Sequence, residues 1–332
     1  MKKYTITIDC GTTNTRVLLF DDAQRPLYIE KKEIGVRNTA IDGNNKQLKK
    51  AISSCIHGLL EKENLSFDNV KSIVATGMIT SNMGIVEIPH LIAPVSIKQL
   101  ATSMQTVLVE DICPLPISFV PGIKNMDGQI NIGNMENMDM MRGEEVESCA
   151  LIEQLHCGKP MLLILPGSHT KFVAVDKHGH ITGCLSSIAG ELLAAITQHT
   201  LIADAVNSSF VDSVTYDRDT LLAGYLQASK NGLGRACFST RIFSQFVSSD
   251  KTKAANFLLG SVLQGDIAAI KNSSTLSTTD DTVVVVAGKS PLRDALLDIL
   301  RFENSFQNII EYIPIDELPL SAAGVFVLLS KV

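Results

Sequence analysis

Apolar and polar residues alternate along two short stretches near the start of the chain. Residues 4–9 and 15–20 show this alternation, and the polar segment "DDAQRP" follows the second stretch. Because successive side chains of a strand point to opposite faces of a sheet, the pattern predicts two strands. The short distance between them indicates a hairpin-like opening.

Helical spacing of apolar residues begins at Lys46 and continues to Lys62, and "VKSIVATG" then has the composition of a buried strand. Similar patterns predict helices in "GEEVESCALIEQLHCG" and "AGELLAAITQHTLI" and over most of residues 217–272. Strands around a tight turn are predicted in "KPMLLILPGSHTKFVAVDKHGHITG", and a strand, a glycine turn and a helix in "TVVVVAGKSPLRDALLDIL". A last strand and helix are predicted in "EYIPI" and "SAAGVFVLLSKV". This alternation of strands and helices favours the α/β class with a mixed sheet.

The length of 332 residues favours two lobes with a cleft. The polar, Asn-rich stretch from Asn125 to Met141 is the most loop-like part of the chain and is predicted to be the passage between the lobes. We therefore expect an N-terminal lobe over residues 1–141 and a C-terminal lobe over residues 142–332. The last helix is free to pack back toward the hinge.

Charge and composition exclude several classes of protein. The formal net charge is −6 and the basic residues are scattered, which argues against a nucleic-acid partner. No apolar run approaches the roughly 18 residues that a membrane span needs, and Asp9 interrupts what would be a signal peptide. The seven cysteines form no C-x-x-C pair, so a disulfide framework is not expected. These features predict a cytosolic protein without a membrane partner.

The turn after the first strand carries candidate chemistry. Backbone N–H groups can approach an anion closely in the glycine- and hydroxyl-rich segment that follows Asp9. Neither G-x-x-x-x-G-K-S/T nor G-x-G-x-x-G occurs in the chain, which excludes the two common phosphate signatures. Asp9 would reach a phosphate only through a cation, and it is a candidate for holding hydrated Mg²⁺. The alternative is an aspartate that caps a turn. A second glycine-hydroxyl hairpin, from Pro166 to Lys171, favours the phosphate interpretation.

The segments "DCGTTNTR", "PGSHTK" and "VVAGKSPLRDAL" resemble the two phosphate loops and the adenosine-side turn of the actin-like ATPase superfamily. More specifically, "GMITSNMGIVEIP", "MRGEEVES", "LPGSHTKFVAVD", "GELLAAITQHTLI" and "VAGKSPL" resemble the 2-dehydro-3-deoxygalactonokinase family, in that family's order. The resemblance implies a two-lobed, ribonuclease H-like fold with a mixed sheet flanked by helices in each lobe. It also implies transfer of the γ-phosphoryl group of ATP to the 6-hydroxyl of 2-dehydro-3-deoxy-D-galactonate, a step of galactonate catabolism.

The resemblance also implies roles for individual residues. Glu144 occupies the place of the catalytic base of glycerol-type kinases, and Glu145 is the second candidate for that base. Asp9 is the third catalytic candidate, as the residue that holds Mg²⁺. The alternative is that both glutamates complement the dipole of a helix. The residues expected to face the ATP phosphates are Gly11, Thr12, Thr13, Asn14, Gly167, Ser168, His169, Thr170 and Lys171. Lys171 and Arg16 could equally point to solvent, and His169 could be an ordinary exposed histidine.

Other positions are assigned by their place in the motifs. Gly288 and Ser290 are expected beside adenosine, although Gly288 could simply end a buried strand. Ser81 and Asn82 stand where sugar kinases meet the hydroxyls of their acceptor. Arg142 is the candidate for the carboxylate of the sugar acid, and an arginine that braces Glu144 or Glu145 is equally consistent.

The chain departs from the family pattern at several places. It has no Trp, and Cys10, Ile85 and Phe172 stand where family members commonly have one. Val146 and Glu147 replace a Thr-Gln pair. These departures leave the acceptor open to a related 2-oxo sugar acid such as the gluconate epimer. An actin-like ATP-binding switch and a phosphohydrolase are the alternatives from other classes, and a homo-oligomer is also open.

Overall fold

The computed structural model describes residues 3–126, 128–314 and 318–332. The strands are β1 (Tyr4–Cys10), β2 (Thr15–Phe20), β3 (Pro26–Lys32), β4 (Val70–Gly77), β5 (Leu91–Ile92), β6 (Gln105–Leu108), β7 (Pro116–Phe119), β8 (Ile123–Lys124), β9 (Met140–Met141), β10 (Met161–Leu165), β11 (Thr170–Val175), β12 (Ile181–Ser187), β13 (Val283–Val286) and β14 (Asn308–Glu311). The α-helices are α1 (Val36–Asp42), α2 (Lys46–Lys62), α3 (Ile97–Thr102), α4 (Glu144–Leu155), α5 (Ala189–His199), α6 (Arg218–Asn231), α7 (Leu233–Ile242), α8 (Lys251–Asn272), α9 (Leu292–Glu303) and α10 (Leu320–Leu329).

The predicted elements are found where local periodicity was strong. Helix α2 begins and ends at the predicted residues, and β1, β2 and β4 occupy the predicted stretches. The last strand lies earlier than expected, because β14 pairs with the four residues of β13 and that pairing ends at Glu311. Ile315, the end of the predicted strand "EYIPI", lies outside the described residues.

The chain forms two compact units. Unit 1 contains residues 1–157, 179–181 and 314–332, and unit 2 contains residues 158–178 and 182–313. This division differs from the predicted boundary after residue 141, because α4 packs against α10 and both belong to unit 1. The short return of residues 179–181 to unit 1 reflects a β-bridge between Val95 and Ile181.

Unit 1 is built on a six-stranded sheet of order β3-β2-β1-β4-β7-β6. Strand β2 runs antiparallel to β1, whereas β4 runs parallel to it. The apolar face of α2 joins the core beneath this sheet, where Ile6, Ile8, Ile52 and Leu59 are fully buried. The sheet order places the carboxyl ends of β1 and β4 side by side, with Asp9 opposite Thr76.

Unit 2 repeats the same order in a five-stranded sheet, β12-β11-β10-β13-β14. Strand β11 is antiparallel to β10, and β13 is parallel to it. Its core lies between the sheet and the helices α5, α6, α8 and α9. The shared order explains the weak symmetry of the sequence, because each unit opens with a strand, a glycine-hydroxyl turn and a returning strand.

Helix α10 fixes the position of α4 within unit 1. The two helices approach so closely at Gly324 that a Cβ added there would lie 1.9 Å from the carbonyl oxygen of Val146. Only glycine allows this distance, since no real Cβ atom lies under 3.0 Å from a neighbour. The N-terminus of α4, which carries the two candidate glutamates, is therefore held by the last helix of the chain.

Among the residues that the structure describes, no helix has both the length and the apolar character needed to cross a bilayer. All seven cysteines have free thiols, as the absence of C-x-x-C pairs predicts.

Candidate active site

The first glycine-hydroxyl turn joins β1 to β2 in unit 1. The amide of Gly11 donates to the carbonyl oxygen of Asn14 at 2.9 Å and closes the turn. The carbonyl oxygen of Gly11 accepts from the amide of Val36 at 3.2 Å, and that of Thr12 accepts from the amide of Arg37 at 2.9 Å. Both carbonyl groups are thus held by the N-terminus of α1.

The opposite side of this turn carries N–H groups. Within the described chain the amides of Thr12, Thr13 and Asn14 have no hydrogen-bond acceptor, and all three residues are exposed. The side-chain amide of Asn14 donates to the hydroxyl of Thr13 at 3.0 Å. Successive free amides of this kind form a concavity that suits an anion.

Asp9 ends β1 next to this turn, and its side chain is 20% exposed. The guanidinium of Arg16 lies 3.4 Å from the carboxylate, and the hydroxyl of Ser321 on α10 donates to it at 3.4 Å. Burial raises the pKa of Asp9 above its ordinary value, Arg16 and Ser321 oppose that rise, and the nearby carboxylate of Glu144 adds to it. A positive charge placed here would therefore be strongly favoured.

Glu147 is a third carboxylate of this region, on the first turn of α4. Burial, and then the negative charges of Asp9 and Glu144, raise its pKa to about 8. Its carboxylate has no hydrogen bond or ion pair with another described residue. The sequence shows that Glu147 replaces a glutamine of the family pattern but indicates no role for it, because its proximity to Asp9 depends on the packing of α4.

Glu144 and Glu145 have different environments although they are adjacent. Glu144 is half-buried, and its Oε2 accepts from the amide of Arg142 at 3.1 Å. Glu145 is fully buried, and its Oε2 accepts from the amide of Gly143 at 2.7 Å, while Oε1 has no partner within the described chain. Burial, and then the charge of Glu144, raise the pKa of Glu145 to about 8. Of the two, only Glu144 is accessible to a substrate.

Gly143 allows α4 to start at this point. Its φ of +117° lies in the region that favours glycine, and a Cβ there would lie 3.3 Å from Cα of Gly77 at the end of β4. The helix therefore begins in direct contact with the central strands of the sheet.

Arg142 was predicted to bind the substrate carboxylate, but its guanidinium is already engaged within unit 1. Nη1 donates to the carbonyl oxygen of Thr80 at 2.7 Å and also to its hydroxyl. Nη2 donates to the carbonyl oxygen of Ile88 at 3.0 Å and lies 3.1 Å from Nε2 of His90. Burial, followed by the positive charges of Arg142 and Lys124, lowers the pKa of His90 to about 4. Arg142 is thus a brace of the segment that was assigned to the acceptor.

Ser81 and Asn82 lie in this braced segment, directly after a 3-10 turn at Met78–Thr80. The hydroxyl of Ser81 is largely buried and donates to the carbonyl oxygen of Met78 at 2.7 Å. Asn82 is exposed, and its side chain has no hydrogen-bond partner among the described residues. Asn82 is therefore the freer of the two for hydrogen bonding to a ligand.

The second glycine-hydroxyl turn joins β10 to β11 in unit 2. It packs against the start of α5, because a Cβ at Gly190 would lie 2.3 Å from the carbonyl oxygen of Gly167. The carbonyl oxygen of Ser168 accepts from the amide of Glu191 at 3.1 Å, and Nε2 of His169 lies 3.2 Å from Oε1 of Glu191. Ser168 and His169 are exposed at the tip of the turn.

Thr170 and Lys171 were predicted to face phosphate but are buried, Lys171 being 6% exposed. The ammonium of Lys171 donates to the hydroxyl of Ser186 on β12. The hydroxyl of Thr170 interacts with the carboxylate of Asp266 on α8 and lowers its pKa. These two buried side chains connect the end of the turn to β12 and α8. Their contact with ATP stays a prediction.

The adenosine-side residues follow β13 in unit 2. Gly288 has a φ of +90°, and a Cβ there would lie 2.9 Å from Cγ of Pro166, so this glycine packs beside the second glycine-hydroxyl turn. The hydroxyl of Ser290 is buried and has no hydrogen-bond partner in the described chain. A hydroxyl left in that state suits a polar group of a ligand.

No set of three or more His, Cys, Asp or Glu side chains among the described residues is arranged as a metal site. Such a set is not required for Mg²⁺, which keeps most of its waters and binds through one or two carboxylates. The partly exposed carboxylate of Asp9, with two further carboxylates near it, fits such a cation.

The sequence matches the model of a family described as 2-keto-3-deoxy-galactonokinase over residues 9–310. Comparison with curated proteins finds no match. A crystal structure described as that of a 2-dehydro-3-deoxygalactonokinase from Sinorhizobium meliloti is 19% identical, covers 98% of this chain and 97% of that chain, and has a TM-score of 0.72. At that identity the likeness shows the fold alone.

Two more distant solved structures cover almost the whole chain. The activator of the 2-hydroxyisocaproyl-CoA dehydratase from Clostridium difficile, with bound ADPNP, is 12% identical over 99% of this chain and 95% of that chain, with a TM-score of 0.49. Component A of the (R)-2-hydroxyglutaryl-CoA dehydratase from Acidaminococcus fermentans is 13% identical over 99% of both chains, also with a TM-score of 0.49. The predicted α/β fold, with a mixed sheet flanked by helices in each unit, is confirmed.

Proposed function

The chain belongs to the 2-keto-3-deoxy-galactonokinase family, and on that premise we propose that it transfers the γ-phosphoryl group of ATP to the 6-hydroxyl of 2-dehydro-3-deoxy-D-galactonate. Family membership makes the chain a phosphotransferase that uses ATP and a sugar acid. The observation that carries the finer proposal is the accessible carboxylate of Glu144, beside Asp9 and at the start of a helix.

Glu144 would act as the general base. Its carboxylate would accept the proton of the acceptor hydroxyl. The hydroxyl oxygen then forms a bond to the γ-phosphorus, the bond to the bridging oxygen breaks, and ADP leaves with that oxygen. Glu145 is fully buried and would shape the helix start through Gly143 rather than meet the substrate.

The free amides of Thr12, Thr13 and Asn14 would donate to the phosphates from unit 1. Ser168 and His169 would do so from the exposed tip of the second turn in unit 2, where Gly167 keeps the backbone accessible. Phosphoryl transfer depends mainly on such positioning and charge neutralisation. Gly288 and Ser290 would lie toward the adenosine.

Asp9 would hold Mg²⁺ through one or more water molecules, with Glu147 near enough to add its charge. A bound Mg²⁺ would neutralise charge on the transferred phosphoryl group. The cluster of Asp9, Glu144 and Glu147 supports this assignment, because each carboxylate disfavours the ionisation of a neighbour in the absence of a cation.

Asn82 and Ser81 would contact the acceptor, with Arg142 holding their segment in place. A cytosolic location is part of this proposal, and the test below decides which C4 epimer of the acid is the acceptor.

The test is ADP release from ATP and Mg²⁺ in the presence and absence of 2-oxo-3-deoxy sugar acids. We expect turnover that depends on the galactonate-derived acid and yields the 6-phosphate. Turnover that is equal without an acceptor would indicate a phosphohydrolase, and nucleotide binding without turnover would indicate a switch. A preference for the gluconate epimer would correct the substrate while keeping the kinase.

A further inference from the structure

Asp266 is a buried acid that neither the sequence motifs nor the proposed chemistry uses. It lies on α8 in unit 2 and is 2% exposed. Charged side chains are almost never this buried unless they are paired. The surroundings of Asp266 therefore need an explanation.

Its contacts converge on the second glycine-hydroxyl turn. Oδ1 of Asp266 accepts from the hydroxyl of Ser187, which in turn accepts from the amide of Ala189 at 3.1 Å. The hydroxyl of Thr170 interacts with the same carboxylate and lowers its pKa. One acid thus joins the first residue of β11, the last residue of β12 and the first residue of α5.

These three points surround the turn. Thr170 directly follows its tip, and the start of α5 carries Gly190, on which the carbonyl oxygen of Gly167 packs. The amide of Glu191 on the same helix donates to the carbonyl oxygen of Ser168. Any shift of α5 relative to β11 would therefore change the shape of the turn.

Stability alone does not account for this carboxylate. Burial raises its pKa to about 6, and the two hydroxyl groups only partly oppose that rise. Its second oxygen, Oδ2, is buried and has no hydrogen-bond donor in the part of unit 2 that the structure describes. A buried polar atom without a partner destabilises a fold, and such costs concentrate at functional sites.

We propose that Asp266 is a positioning residue that holds the second turn in its nucleotide-binding shape by tying Thr170 to the start of α5 through Ser187. This rests on the proposed function only in that the turn binds the phosphates of ATP. Asp266 itself does not touch the nucleotide.

The decisive variant is Ser187→Ala, which removes one hydroxyl from the link and leaves the acid in place. We expect the KM for ATP to rise about tenfold, since a hydrogen bond to a charged group is lost, while the KM for the sugar acid changes less than about twofold. Asp266→Asn should give the same split between the two KM values. Equal KM values for ATP in Ser187→Ala and wild type would overturn the proposal.

Ser261→Ala is the matched control, because it also removes a buried hydroxyl in unit 2. Ser261 lies on α8 and donates to the carbonyl oxygens of Phe257 and Gly224, away from the turn. It should leave both KM values unchanged. A rise in the KM for ATP equal to that of Ser187→Ala would show a general effect of softening α8 and would overturn the proposal.

Calorimetric titration of ATP and Mg²⁺ without an acceptor separates this inference from the proposed function. A wild-type protein that binds ATP but phosphorylates no sugar acid would refute the kinase assignment. In that case weaker ATP binding by Ser187→Ala and Asp266→Asn would still support the role of Asp266, and undiminished binding would refute it.

Discussion

Nη1 of Arg142 lies 2.7 Å from the carbonyl oxygen of Thr80, and this hydrogen bond joins the start of α4 to the segment that we propose contacts the acceptor. The same guanidinium reaches the carbonyl oxygen of Ile88 and the ring of His90. Because the pKa of His90 is lowered to about 4, its ring is neutral at neutral pH and is not repelled by the guanidinium of Arg142. One residue thus links Glu144 to the segment that carries Ser81 and Asn82.

Replacing Arg142 with lysine should impair use of the acceptor. An ammonium group cannot reproduce the two-pronged contacts of a guanidinium, so the segment after Thr80 would lose part of its support. We expect the kcat/KM for the sugar acid to fall about tenfold or more, with ATP affinity nearly unchanged. Initial rates at varied acceptor and varied ATP measure the two effects separately.

Arg235→Lys is a suitable control for that variant, because Arg235 is exposed on α7 and belongs to neither turn. It should behave as wild type. An Arg142→Lys enzyme with a normal kcat/KM for the acid would show that the brace is dispensable.

Replacing Glu144 with glutamine should remove the base while preserving the shape of the side chain. We expect the rate of transfer to fall by about 10²- to 10⁴-fold, the usual contribution of a positioned general base. ATP affinity should not fall, since the turn amides and not Glu144 would bind the phosphates. Single-turnover rates and calorimetric titration of ATP provide the two measurements.

Glu153→Gln tests whether any loss of charge on α4 has the same effect. Glu153 is exposed near the end of the same helix, where it pairs with Lys331 at 3.0 Å. Its replacement should not change the rate. An active Glu144→Gln enzyme would move the role to another carboxylate, such as Asp9.

Local periodicity is sufficient to predict β1, β2 and α2, because the apolar residues of each element are regularly spaced and are the residues that the fold buries. The motifs also identified the two turns, since glycine and hydroxyl residues directly after a buried strand are typical of a turn. The membership of α4 in unit 1 could not be predicted. It depends on the contact of Val146 with Gly324, which are far apart in sequence.

The same limit applies to individual side chains. Nothing in the order of the residues says that Glu145 is buried while Glu144 is accessible, because the two are adjacent glutamates in the first turn of α4. Asp266 has the sequence appearance of a solvent-exposed acid on a long helix, and its role depends on where Thr170 and Ser187 lie in space. Long-range packing decides these positions, whereas composition only proposes candidates.

The buried carboxyl group of Glu145 predicts a specific pH dependence of stability. Its pKa is about 8 in the fold and near 4.5 when exposed, so the folded chain keeps a proton that the unfolded chain loses. The resulting stabilisation is complete below pH 4.5 and is lost as the pH rises toward 8. In Glu145→Gln this dependence should disappear.

Urea unfolding of the wild type and Glu145→Gln at pH 5, 6 and 7 checks this expectation. The free energy of unfolding of the wild type should fall relative to the variant by on the order of 2 kcal/mol over that range. The slope is more informative than the absolute value, because the new amide group is itself buried beside Gly143. Parallel pH profiles of the two proteins would mean that Glu145 is ionised in the fold.

Replacing Gly324 with alanine should disturb the site from a distance. The new Cβ would lie 1.9 Å from the carbonyl oxygen of Val146, so α10 and α4 must separate and carry Glu144 with them. We expect a loss of about 1–3 kcal/mol in the free energy of unfolding, together with a lower kcat.

Gly58→Ala is the matched control, since Gly58 lies within α2 and a Cβ there would meet nothing within 4 Å. That change should stabilise the protein by about 0.5–1 kcal/mol and leave kcat unchanged. If both alanine variants gained stability, the close approach of α10 to α4 would be disproved, and with it the explanation of how α4 is held in place.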